Sequence, residues 1–131
     1  EAPTFEETLR VFIDGYVEFV RSNEDAMCLI VQENLAGKSP LGEHLRNTTN
    51  ASDPPPRILV ETIASAVSAG EIRSVDPHHT ALSIISTCFS FFVFRPTVQI
   101  MHPEAGDDWS AFVEERKEHL FDLIYHGLAP R

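Results

Sequence analysis

Cations are scarce in this sequence: 10 lysines and arginines stand against 20 aspartates and glutamates, a formal charge of −10 over 131 residues. The basic residues are scattered from Arg10 to Arg131 without a stripe or cluster. Phosphate neutralisation supplies most nonspecific nucleic-acid affinity, and basic segments hold proteins on anionic lipid. This segment is therefore not expected to bind DNA, RNA or a membrane surface directly. Long apolar runs are missing as well, since no stretch approaches the ~18 to 20 residues that cross a bilayer.

Cysteine is almost absent. Cys28 and Cys88 each sit inside an apolar helical run (AMCLIV and STCFSFF), with no C-x-x-C or Cys/His metal spacing. They read as buried free thiols rather than as a disulfide or a metal site. The six glycines, at 15, 37, 42, 70, 106 and 127, are isolated, so no Gly-rich phosphate loop exists. Neither G-x-S-x-G nor H-E-x-x-H occurs, and no Glu-x-x-His pair of the di-iron bundles. The nearest pattern is Asp76-x-x-His79, where Asp76 serves better as a helix cap. His78, His79 and His102 fall at a helix start and in a loop, the ordinary places for solvated polar residues. No enzymatic activity, no cofactor and no metal are expected.

Asn47-Thr48-Thr49 and Asn50-Ala51-Ser52 match the glycosylation tripeptide, which a polar loop rich in Asn, Ser and Thr produces by chance. The chain opens on Glu1-Ala2-Pro3 with neither an initiating Met nor a signal peptide, so a fragment or trimmed chain is expected.

What the sequence has is helix. Hydrophobic residues make up 43% of it and nine are Phe, enough to give one domain a real core. Thr4-Phe5-Glu6-Glu7 has the capping-box form, followed by apolar residues at Phe5, Leu9, Phe12, Ile13, Tyr16, Phe19 and Val20. Asn23-Glu24-Asp25 restarts a second helix carrying Met27, Leu29, Ile30, Val31 and Leu35 up to Gly37. Ser39-Pro40 is expected to open a short helix through about Arg46, and Asn47 to Asp53 a surface loop. Asp53 then caps a helix begun by Pro54, Pro55 and Pro56 and closed at Gly70.

Glu71 to Val75 reads as an extended link pinned by Ile72 and Val75. Asp76-Pro77 starts the long helix, with Ala81, Leu82, Ile85, Cys88, Phe89 and Phe92 spaced for one buried face and Ile84, Phe91 and Arg95 beside it. Ser83, Ser86, Thr87 and Ser90 form a small-residue ribbon opposite. Pro96 should kink or end this helix, and Met101 to Asp108 reads as a loop. Asp107 or Asp108 caps a last helix to about His126, striped by Trp109, Phe112, Val113, Leu120, Leu123 and Ile124, with Phe121 and Tyr125 to the side. No segment alternates with period two, so the fold class is all-α: an antiparallel bundle of five to six helices. The apolar and aromatic excess suits an apolar ligand cavity or a subunit interface, with Tyr16, Thr62, Ser65, Thr87 and Cys88 as polar points in such a cavity.

Three stretches, in order, resemble the C-terminal half of bacterial TetR-type transcriptional repressors. They are LIVQENL (Leu29 to Leu35); Ala69-Gly70-Glu71-Ile72-Arg73 with Val75-Asp76-Pro77; and Phe112-Val113-Glu114-Glu115-Arg116 leading to Gly127-Leu128-Ala129-Pro130. The resemblance runs from Leu9 to Pro130. It implies a cytoplasmic effector-binding and dimerisation domain, with DNA read only by an N-terminal helix-turn-helix that this chain lacks. It also implies that the first helices enclose a small apolar or aromatic effector, while the last two long helices form a four-helix interface in a homodimer. A helical wheel nominates Phe12, Tyr16, Met27, Ile30, Val31, Ile63, Val67, Cys88, Phe89 and Phe92 for the effector. The interface set is Ile84, Thr87, Phe91, Phe94, Val113, Phe121, Ile124 and Tyr125. The alternative is a helical homodimeric scaffold with no ligand.

Overall fold

A computed structural model describes residues 2–40, 43 and 55–131. Among them are seven helices: α1 (Phe5–Ser22), α2 (Glu24–Leu35), α3 (Pro55–Ser68), α4 (Pro77–Val93), α5 (Arg95–Met101), α6 (Pro103–Asp107) and α7 (Trp109–Leu128). No strand occurs among the described residues. The chain is all-α, as its periodicity predicts. The expected loop at 47–53, the Asp53 cap, both glycosylation tripeptides and most of the expected 39–46 helix lie outside the described residues.

Local chemistry sets the helix ends. Thr4 Oγ1 accepts the Glu7 amide at 3.2 Å and the Glu7 carboxylate takes the Thr4 N–H, so two amides without intrahelical partners are satisfied at once. Asp76 Oδ1 accepts the His79 amide at 2.9 Å, which holds its carboxyl below the ordinary aspartate range. Asp108 does the same for Ala111 at 3.1 Å. Gly70 closes α3 at φ 75°, a left-handed conformation that costs a side-chain-bearing residue energy, and Glu71 N–H bonds back to the Ala66 carbonyl.

The core is a seam along the inner faces of the long helices. On α1 it comprises Phe5, Leu9, Ile13, Val17 and Val20; α3 adds Leu59, Ile63 and Ala66; α7 adds Val113, Leu120, Phe121 and Leu128. Each buried aliphatic of this size contributes roughly 1.5 to 3 kcal/mol. α3 lies along α4, and α1 packs against both α4 and α7. Ile72 pins the α3–α4 link to the core, and Arg73 ties that link to the end of α7 by donating to the Leu128 and Gly127 carbonyls.

Three expectations need correction. The buried face of α4 is Ala81, Ile84, Cys88, Phe91 and Phe92, rotated from the predicted face, so that Leu82 is 63% exposed and Ile85 and Phe89 are only half-buried. A helix apolar around most of its circumference does not define its own inner face; packing against α3, α1 and α7 does. Residues 101–108 are not a loop, because Met101 ends α5 and Pro103–Asp107 form α6, whose Ala105 is fully buried. Pro103, at the first helical position, starts α6 instead of breaking the chain. Finally, α7 runs through Gly127 to Leu128, and Leu123, expected in its buried stripe, is 69% exposed.

Pro96 acts as predicted. α4 stops at Val93, and α5 leaves at 77° to it. Arg95 locks the corner by pairing with Glu24 of α2 at 3.1 Å while its guanidinium stands 4.6 Å over the Trp109 ring. Trp109 in turn contacts Phe91, Phe92 and Phe112.

Candidate functional site

α1 and α3 do not close completely on each other. Phe5, Thr8, Leu9 and Phe12 of α1 face Ile58, Leu59 and Thr62 of α3 across a cleft of about 250 Å³. It continues into a more open hollow of about 330 Å³, which shares Phe5, Thr8, Ile58 and Thr62 and adds Pro3, Glu61, Ser65, Ala66 and Glu71. The gap exists because Thr8 and Thr62, where larger residues would fill the space, are small. Both hydroxyls turn back on their own helices, Thr8 donating to the Thr4 carbonyl at 3.0 Å and Thr62 to the Ile58 carbonyl at 2.9 Å. Glu71 Oε2 accepts the Phe5 amide at 2.9 Å and so fastens the start of α1 to the α3–α4 link.

Of the ten residues nominated for a ligand, Phe12 lines this cleft. Ile63, Cys88 and Phe92 are buried in the core, where Ile63 and Cys88 have no exposed surface. Tyr16, Met27, Val67 and Phe89 pack half-buried against that core, and Ile30 and Val31 are half-buried on α2. Burial raises the Tyr16 hydroxyl above its usual pKa, with the neighbouring Cys88 adding to the effect, and pushes the Cys88 thiol up to about 12. Of the nominated polar points, Thr62 lines the cleft and Ser65 the outer hollow. Phe5, Thr8, Leu9, Ile58 and Leu59 line it too and lie outside the nominated set. Ile58 carries a usable signal, an apolar residue one turn before Thr62 and 53% exposed.

Two other concavities are lined by more charged side chains. The α1–α7 groove, about 650 Å³, is lined by Arg10, Asp14, Glu114, Lys117 and Glu118 beside Val11, Ile13, Gly15 and Phe121. Its charges are already paired: Arg10 with Glu118 at 3.0 Å and Lys117 with Asp14 at 2.9 Å. A hollow of about 390 Å³ between α4, α5, α6 and α7 is lined by Phe91, Val98 and Phe112 together with His102, Glu104, Glu115, Arg116 and His119. Among the described residues, no group of three or more His, Cys, Asp or Glu side chains is arranged to hold a metal ion. No single helix there is long and apolar enough to cross a membrane.

The residues nominated for a subunit interface fall into two groups. Ile84, Phe91, Val113 and Phe121 are buried within the protomer, while Thr87, Ile124 and Tyr125 are half-buried and Phe94 is 61% exposed. Leu82 of α4 and Leu123 of α7, both outside the nominated set, are the large apolar residues that these two helices show to solvent.

Residues 6–124 match the family model described as tetracyclin repressor-like, C-terminal domain. No curated protein and no solved structure matches the chain.

Proposed function

This chain belongs to the tetracyclin repressor-like C-terminal domain family, and from that premise we propose that it is the effector-binding and dimerisation domain of a bacterial, cytoplasmic transcriptional repressor. The observation that carries the effector half of this reading is the α1–α3 cleft, an apolar recess with few polar points. Its effector is a small apolar or aromatic molecule. Operator DNA is bound by a helix-turn-helix domain preceding this segment, in keeping with the scarcity of cations here.

The protein acts as a homodimer through the outer faces of α4 and α7. Leu82 and Leu123 supply exposed apolar surface on these helices, and Phe94 does so just past the end of α4; Thr87, Ile124 and Tyr125 are half-buried, and Ile84, Phe91, Val113 and Phe121 are buried in the protomer. A ligand wedged between α1 and α3 displaces α1. That helix is tied to the α3–α4 link through Glu71 and to α7 through Lys117, so the displacement reaches the dimer helices and the spacing of the DNA-reading heads. Such coupling is reciprocal and typically ~1 to 3 kcal/mol, so operator and inducer weaken each other's binding by one factor.

The test is a fluorescence titration with N-phenyl-1-naphthylamine, a neutral apolar probe. One saturable site per protomer, lost in Thr62→Trp, supports an effector domain. Absence of saturable binding favours a ligand-free helical scaffold.

A further inference from the structure

We infer that the effector of the α1–α3 cleft is a lipophilic amine bound as its ammonium cation, with its apolar body in the inner half of the cleft and its charged end at Glu61 and Glu71. The inference rests on the cleft being the effector site and concerns what that site selects.

The inner half offers hydrocarbon from both walls, chiefly Leu9 and Phe12 on α1 and Ile58 and Leu59 on α3. The polar groups toward the mouth are almost all acceptors. Thr8 and Thr62 have already donated their hydroxyl protons to the Thr4 and Ile58 carbonyls, so only their oxygen lone pairs are left for a ligand. Glu61 and Glu71 add two carboxylates in the outer half. Glu71 uses Oε2 on the Phe5 amide and has Oε1 left to accept. Glu61 meets Arg57 at 3.5 Å, an ion pair whose side chains are 60% and 61% exposed, and Arg57 does not line the cleft. Among the described residues no Lys, Arg or His lines either half. Of the described side chains at the mouth, Ser65 is the one with a hydroxyl proton still to give.

A mouth lined by acceptors and two carboxylates, with one hydroxyl donor and no cation among its described lining residues, selects a ligand that brings both protons and positive charge. A carboxylate would meet two like charges and a single hydroxyl donor. The formal charge of −10 adds a long-range bias in the same direction, concentrating cations at the surface.

The experiment is calorimetric titration of the protein at pH 7 and low salt with three ligands sharing one body: 4-phenylbutylamine, 4-phenylbutan-1-ol and 4-phenylbutanoate. The amine should bind at least about tenfold more tightly than the carboxylate, with the alcohol between, and added salt should narrow the difference. In the double variant Glu61→Gln, Glu71→Gln, which keeps an acceptor for the Phe5 amide, amine and carboxylate should bind within about twofold of each other. Thr62→Trp and Thr8→Trp fill the cleft from opposite walls and should abolish binding of all three, with melting curves confirming that each variant is folded. If the carboxylate binds as well as the amine and Thr62→Trp abolishes it, the cleft stands as the site and the ammonium inference falls. That inference falls equally if the double glutamine variant keeps the full amine preference. If no ligand binds, or binding survives in both tryptophan variants, the cleft is not the site and both readings fall.

Discussion

Lys117 of α7 reaches across to α1 and places its Nζ 2.9 Å from the Asp14 carboxylate. The same ammonium contacts Glu18, one turn further along α1, and Glu114, one turn back on its own helix. Its stem is buried, and its head emerges among these carboxylates. Burial by itself would lower the Lys117 pKa; the hydrogen bonds to Glu18, Asp14 and Glu114 together outweigh that and leave it raised. Arg21 adds a second cation by meeting Glu114 at 2.7 Å. The seam joins the helix that walls the cleft to a helix of the proposed dimer interface.

Lys117→Met keeps the apolar stem and removes the charge, leaving Asp14, Glu18 and Glu114 with Arg21 as a cation beside the last two. Urea denaturation should show a loss of about 1 to 3 kcal/mol, more than for an exposed surface pair. A loss below a few tenths would mean that the seam is held by its apolar residues alone.

Acid should weaken the seam in a definite window. Glu114 is held below the ordinary carboxyl range first by the Arg21 hydrogen bond and then by that of Lys117. A group depressed in the folded state contributes stability above its unfolded pKa and loses it as pH falls through the folded value. Glu114→Gln should therefore melt below the wild type at pH 7, and the two curves should converge as pH drops beneath about 4. A constant gap from neutral to acid pH would contradict this.

The two cysteines should react at very different rates. Cys88 has no exposed surface and its thiol is pushed up to about 12 by burial, whereas Cys28 on α2 is half-buried. Titration with Ellman's reagent should modify Cys28 at least about a hundredfold faster, Cys88 waiting on opening of the core. Comparable rates would mean that α4 is far less well packed than its buried side chains indicate.

Leu82→Glu combined with Leu123→Glu places charge on the outer faces of α4 and α7. Both leucines are more than half exposed in the protomer, so helix content should be unchanged. Sedimentation velocity should show a dimer for the wild type and a monomer for the double variant. A variant that remains dimeric would move the interface elsewhere.

Much of the fold is legible because helix ends are written locally. Thr4 with Glu7, Asp76 with Pro77, and Gly70 each act through atoms within one turn of themselves. The register of α4 is not legible. Ile84 and Ile85, or Phe89 and Phe91, are equally apolar though they point about 100° and 200° apart, and only packing against neighbouring helices decides which is buried. α6 is hidden for a related reason: its proline, glycine and aspartate read as punctuation, and what makes it a folded element is the burial of Ala105. The cleft is half legible. Thr62, Ser65 and Phe12 stand out in the sequence, but the largest apolar residues are expected around the cavity when most of them fill the core. The opening lies where Thr8 and Thr62 leave space between Phe5 and Ile58, a property of two small residues meeting across helices far apart in the chain.

The most direct measurement is intermolecular nuclear Overhauser contact between N-phenyl-1-naphthylamine and the methyl groups of isotope-labelled protein. The account predicts contacts to Thr8, Leu9, Ile58, Leu59 and Thr62, the methyl-bearing walls of the α1–α3 cleft. Contacts confined to Val98 in the α4–α7 hollow or to Val11 in the α1–α7 groove, with none at Ile58 and Leu59, would contradict it.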